Sequence, residues 1–124
     1  MNQLLLVALG GAVGSAFRHL TNQWSLRAFG TGFPWGTLIV NLFGCFLMGV
    51  IVELLARRSA SPELRLLLTT GLLGGFTTFS AFSLDFASLY QRGAMFEAFT
   101  YVAGTVVLSL IGVFLGLWLA KIAA

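Results

Sequence analysis

The stretch GLLGGFTTFSAFSLD, Gly71 to Asp85, lies inside an apolar run from about Leu64 to Tyr90. A run of that length reads as a membrane helix, since about 20 mainly apolar residues cross a hydrocarbon core of roughly 30 Å. Yet Gly74-Gly75 stands beside Thr77-Thr78 near its middle. A glycine weakens a helix by about 1 kcal/mol relative to alanine. Thr77, Thr78 and Ser80 carry hydroxyls that bond the local backbone or cap a restarted helix. The pattern predicts an unwound turn at mid-membrane. Irregular backbone is tolerated at that depth only inside protein or against a cavity, so this stretch is expected to be buried in an assembly or to line a path.

Three further apolar runs flank it: about Leu4 to Trp24, about Trp35 to Ala56 and about Ala94 to Ala120. The chain has 124 residues, 58% of them hydrophobic and 9% charged, where a soluble domain carries about a quarter charged. Strand alternation is missing, which argues against a barrel, and helices satisfy their own backbone in lipid. The fold class is therefore an all-α membrane protein with four transmembrane helices in one domain, residues 1–124. The connections agree. FGTGFP (Phe29 to Pro34) separates the first two spans, and QRG (Gln91 to Gly93) ends the third with a glycine. In RRSASPEL, Ser61 suits a helix cap, Pro62 the first helical position and Glu63 the positive helix end. Trp24, Trp35, Tyr90 and Trp118 fall near span ends, as an aromatic belt requires.

Several function classes are excluded by what the chain carries. The net charge is +3, but its seven basic residues are scattered, so no nucleic-acid surface is expected. His19 is the sole histidine and has no Cys/His cluster beside it, which speaks against a catalytic zinc. Cys45 is the sole cysteine and reads as a small packing residue. The first residues lack a basic n-region, so they read as a retained span rather than a signal peptide. No acid/base or nucleophile cluster suggests an enzyme.

Four spans put both chain ends on one side. Arg57, Arg58, Arg65 and Lys121 fall there, against Arg27, Arg92 and, where it reaches the surface, Arg18. So weak a positive-inside bias permits both orientations. The expectation is a dual-topology chain that pairs with an inverted copy of itself as an antiparallel homodimer, its two-fold axis in the membrane plane. Gly10/Gly14 and Gly112/Gly116 are spaced for close helix packing.

The polar residues inside the spans are ordered. Thr37, Asn41 and Gly44 share one face of the second helix, and Tyr101, Thr105 and Ser109 recur every four residues on the fourth. Phe76, Phe79 and Phe82 recur every three on the third, among Thr77, Thr78, Ser80 and Ser83. Such a set reads as a conduction path. Its sign follows from its chemistry. Cation routes usually need a deep carboxylate, whereas Glu53, Glu63, Asp85 and Glu97 lie nearer the span ends. Asn41 and the hydroxyls donate hydrogen bonds, phenyl edges are the positive side of the ring, and Arg18 suits a mouth. Neutral donors hold a small anion without trapping it.

These residues resemble a known family. GGFTTFSAFSLD is similar to the signature of the Fluc fluoride channels, also called CrcB proteins. GGAVGSAFRH resembles their first-helix pattern ending in arginine, and GTLIVNLFGCFLMG their second-helix pattern of threonine, asparagine and glycines. The resemblance implies a dual-topology homodimer in the cell inner membrane with two antiparallel fluoride pores. It implies ring edges of Phe79 and Phe82 toward fluoride, with Asn41 donating nearby and Thr37 and Ser83 as polar positions along the path. Tyr101, Thr105 and Ser109 match a polar track on the opposite wall, and Arg18 matches an arginine at the aqueous vestibule. The backbone carbonyls of Gly74 and Thr77 match those holding a structural sodium ion. Asp85 stands where many relatives are expected to have glutamate, which puts that carboxylate's role in doubt. Thr105 stands where serine is common and keeps the hydroxyl.

The function so implied is passive export of fluoride, which lowers its toxicity. One rival is a small multidrug-resistance-type transporter, but that family relies on a first-helix glutamate and Leu4 to Trp24 contains no carboxylate. Another is a non-transporting structural subunit, which would need the packing glycines but not the polar ladders.

Overall fold

A computed structural model describes residues 2–123. Helix α1 spans Gln3–Phe29 and α2 spans Trp35–Arg57. The third span, Pro62–Gln91, is composite: α3 (Pro62–Leu66), a π-helical segment (Leu67–Leu73), α4 (Gly74–Phe76) and α5 (Phe79–Gln91). Helix α6 spans Met95–Ala123. Four of these stretches are long and apolar enough to cross a membrane, and no strand occurs among the described residues.

The helix ends follow local chemistry. Leu64 N donates to Ser61 Oγ at 3.2 Å, with Pro62 in the first turn. Helix α1 runs five residues beyond the expected Trp24, because nothing in SLRAF stops a helix before Gly30, which turns the chain at φ 79°. Around that turn Trp24 packs on Phe29, Phe29 on Trp35 and Trp35 on Phe33, with ring centroids 5.7, 5.5 and 4.9 Å apart. The aromatic belt at this end is thus one contiguous cluster.

Helix α4 ends at Phe76, and Thr77 N makes the last helical bond, to Leu73 O at 3.0 Å. Thr77 (φ −85°, ψ 159°) and Thr78 (φ −152°, ψ 124°) are extended before α5 begins. The two sides of this interruption have different neighbours: the π-helical segment and α4 pack on α1, and α5 packs mainly on α6. Helix α2 lies along α6. Small residues set these approaches. A Cβ on Gly14 would collide with Leu72 O and come within 2.8 Å of Phe76 N. One on Gly116 would collide with Phe46 O and come within 2.9 Å of Val50 N. Gly112, in contrast, has its nearest neighbour at 3.4 Å, ordinary contact. The facing partner of Gly116 at the α2–α6 crossing is Gly49, whose Cβ would meet Val113 O and Leu117 N.

Four buried side chains, Phe82, Leu89, Ala98 and Tyr101, form one cluster, with Phe33, Phe86 and Val102 around it. Large apolar side chains such as Phe96, Leu110, Phe114 and Ile122 face outward. Outward apolar faces on helices of this length are what a lipid solvent permits.

Candidate functional site

The extended pair Thr77–Thr78 leaves main-chain groups without helical partners, and α2 answers them. Asn41, 9% exposed, donates from Nδ2 to Thr78 O at 3.0 Å. Thr78 N donates back to Asn41 Oδ1 at 2.8 Å. The side-chain amide thus pairs with Thr78 as a neighbouring strand would, and its second N–H stays available. Thr78 also caps α5, accepting from Ala81 N at 3.1 Å, and its hydroxyl lies 3.3 Å from Ser80 Oγ. In a continuous helix Thr78 N would bond Gly74 O and Ala81 N would bond Thr77 O. Both amides are taken elsewhere, so both carbonyls lose their helical donor.

On α6 the hydroxyls behave unlike others in the chain. Thr21, Thr69 and Thr77 fold back onto the carbonyl four residues earlier, at 2.9, 2.7 and 2.9 Å. Thr105 Oγ1 and Ser109 Oγ do not: both are buried without a hydrogen-bond partner. A buried polar group left unmet costs about 1–3 kcal/mol.

Thr105 and Ser109 line a cavity of about 350 Å³ together with Asn41, Cys45, Thr77, Thr78, Phe79 and Phe82. No charged side chain lines it. The rings of Phe79 and Phe82 are tilted at 59° with centroids 5.6 Å apart. Phe82 is buried and meets the Tyr101 ring at 5.2 Å. Phe79 is 78% exposed, so one wall of the cavity lies on the surface of the chain.

Of the expected path residues, the cavity gathers Asn41, Phe79, Phe82, Thr105 and Ser109, with Thr77 at its edge. Thr37 lies one turn away in a second cavity of about 300 Å³, with Asn22, Ser25 and Asp85. Tyr101 joins that end, its hydroxyl donating to Asp85 Oδ2 at 3.1 Å. Asp85, whose role the sequence left in doubt, is therefore tied to the α6 ladder. Ser83 is exposed on α5 and lines neither cavity, and half-buried Arg18 lies apart from both on α1. Gly74 is exposed in α4, just before the extended pair that begins at Thr77. Among the described residues no group of three or more His, Cys, Asp and Glu is placed to hold a metal ion.

Four lining residues are outside the expected site: the apolar Val106 and Leu110, and Thr78 and Cys45. Thr78 was read as one hydroxyl among several, and the signal for it is its position as a helix cap after a glycine pair. Cys45 was read as packing, and the signal for it is its spacing of four from Asn41.

A family model described as CrcB-like protein, Camphor Resistance (CrcB), matches residues 5–117. Among curated relatives, a "Fluoride-specific ion channel FluC" of Mesorhizobium japonicum is 54% identical over 98% of both chains. Proteins of the same name are 58% identical in Chelativorans sp. over 98% of both chains and 59% identical in Rhizobium etli strain CIAT 652 over 94% of both chains.

Proposed function

The chain belongs to the CrcB family, and from that premise we propose that it is a fluoride-specific ion channel that exports cytoplasmic fluoride passively. The observation that carries this reading is one uncharged cavity that brings Asn41, Thr105 and Ser109 together with the rings of Phe79 and Phe82. Fluoride is small and strongly hydrated, so its path must replace water with closely spaced donors. The hydroxyls of Thr105 and Ser109 and the second N–H of Asn41 supply them, and ring edges add positive partial charge. Neutral donors let the ion leave again. Hydrogen fluoride crosses membranes and dissociates at neutral interior pH. An inside-negative potential then drives the trapped anion outward, at about 2.3 kcal/mol per 100 mV.

Around this cavity the chain offers two ends. Tyr101, Thr37 and Asp85 form a polar approach on one side. Arg18 is assigned to an aqueous vestibule, and Ser83 to a polar position that faces the path in the assembly. The assembly proposed is an antiparallel homodimer of inverted copies in the cell inner membrane. Phe79 and Gly74 support it: both are exposed on the protomer next to the candidate site, and a second copy would cover them. The Thr77–Thr78 interruption would then lie at mid-membrane, near the two-fold axis.

A structural sodium ion is proposed at that axis. The fit rests on Gly74 and Thr77, whose carbonyls have each lost the amide that would close a helical turn. Bound there, the ion would supply positive charge and hold the two interrupted segments together. Release of fluoride but not chloride from liposomes containing the purified protein tests the function.

A further inference from the structure

The Tyr101 end of the ladder presents a carboxylate. Asp85 accepts from the Tyr101 hydroxyl at 3.1 Å and lines the cavity that holds Thr37, Asn22 and Ser25. A further cavity of about 300 Å³ adjoins it, since Asp85, Leu26, Phe33 and Pro34 line both. This second space adds Thr31, Ser88 and Arg92. Asp85, Ser88 and Arg92 follow one face of α5 to its C-terminal end, at spacings of three and four. Arg92 reaches across to the α1–α2 connection, where Nη2 donates to Gly32 O at 3.4 Å. A guanidinium has five N–H donors. Among the described residues the one ion pair is Arg57–Glu53, so Arg92 is tied to no carboxylate.

A carboxylate beside an anion route has the wrong sign by itself. Repulsion between unit charges about 4 Å apart changes a local ion population about fivefold even in water, and more where water is thinned. Of the residues lining these two cavities, Asp85 is the one anion and Arg92 the one cation. We propose that Arg92 is the counter-charge of this mouth: it offsets Asp85 and draws fluoride to the Thr37–Tyr101 end of the route. This rests on the reading of the neighbouring cavity as the fluoride path. Asp85 holds the Tyr101 hydroxyl at the end of the ladder, and Arg92, two turns along the same face, cancels the cost of that charge to a passing anion. An exposed cation acts over a Debye length, about 30 Å at 0.01 M and about 3 Å at 1 M ionic strength, so its contribution fades with salt.

The test uses the full chain reconstituted in liposomes. Initial rates of fluoride release are read by ion-selective electrode at low and high ionic strength, set with potassium isethionate on both sides. Arg92→Gln is made in the parent and in Asp85→Asn, whose amide keeps an oxygen for the Tyr101 hydroxyl. In the parent background Arg92→Gln is expected to slow release about fivefold at low ionic strength, the worth of one nearby unit charge, and to approach the parent at high ionic strength. In the Asp85→Asn background the same change should slow release by no more than about twofold, as a pairwise charge effect requires. Arg92→Lys keeps the charge and should stay near the parent's rate. A helix end or a bond to Gly32 would act alike in both backgrounds and at both ionic strengths. Equal slowing across them would therefore overturn the proposal, as would slowing by Arg92→Lys equal to that by Arg92→Gln. Parent release that ignores residue 92 would overturn this proposal alone. A parent that releases no fluoride would overturn the channel reading and this proposal with it.

Discussion

Asn41 and Thr78, thirty-seven residues apart in sequence, exchange two hydrogen bonds of 3.0 and 2.8 Å, side-chain amide to main chain. One residue thereby does two jobs. It satisfies the backbone exposed where the third span leaves the helix, and it keeps an N–H for the cavity. Replacement by leucine removes both bonds and leaves a buried N–H and C=O at Thr78, at about 1–3 kcal/mol each. Asn41→Leu is expected to lower thermal stability in detergent and abolish fluoride release. Asn41→Asp keeps the acceptor for Thr78 N but loses the donor and adds negative charge to the cavity. It should fold better than the leucine variant and still conduct no fluoride. Equal conduction by Asn41→Asp and the parent would contradict this role.

Thr105 and Ser109 should separate stability from function. Their hydroxyls are buried and unmet, so removing them relieves a penalty of order 1–3 kcal/mol rather than incurring one. Thr105→Val and Ser109→Ala are expected to melt at or above the parent's temperature. Their fluoride release should fall at least about tenfold, a barrier rise of about 1.4 kcal/mol. Hydroxyls that served only packing would show the reverse pattern.

The packing glycines give a graded prediction. Gly116 meets Phe46 O and Val50 N with no room for a Cβ, whereas Gly112 has ordinary contact from 3.4 Å outward. Gly116→Ala should destabilise by about 1–3 kcal/mol, the usual range for overpacking, and Gly112→Ala should be nearly neutral. Thermal melts of the two variants in one detergent make the comparison.

The proposed pairing of inverted copies predicts a C-terminal tag reachable from both faces of the membrane in one population of cells. It also predicts that exchanging sodium for a large organic cation abolishes fluoride release or separates the pair, read by flux and by light scattering. A tag on one face only would remove the inverted arrangement, and indifference to the cation would remove Gly74 and Thr77 from the ion's site.

What could be read in advance divides along physical lines. The four spans are legible because hydrophobic runs of membrane length have few other uses, and the loops because Gly30, Pro62 and Gly93 punctuate them. The α1 overrun past Trp24 is not, since hydropathy marks the lipid boundary while the helix continues until a residue stops it. Gly74-Gly75-Phe76-Thr77-Thr78 marks a weak point, because glycine and hydroxyl chemistry are local. The group that answers that weak point is not local: the Asn41–Thr78 pairing depends on how α2 and the third span dock. The π-helical Leu67–Leu73, packed against α1, is not among the expected elements either. At the site, two regular ladders made Asn41, Thr105 and Ser109 visible. Cys45 was passed over because a small apolar-looking residue beside Gly44 has an ordinary packing use. Ser83 was included on resemblance, and in the protomer it faces outward.

The central claim is that the uncharged, donor-lined cavity between α2, α5 and α6 conducts fluoride selectively. Liposomes carrying the purified chain and loaded with either fluoride or chloride, with release followed by ion-selective electrodes, test it most directly. Rapid fluoride release with chloride retained is the predicted result. No fluoride release, or chloride leaving as fast, would contradict the account.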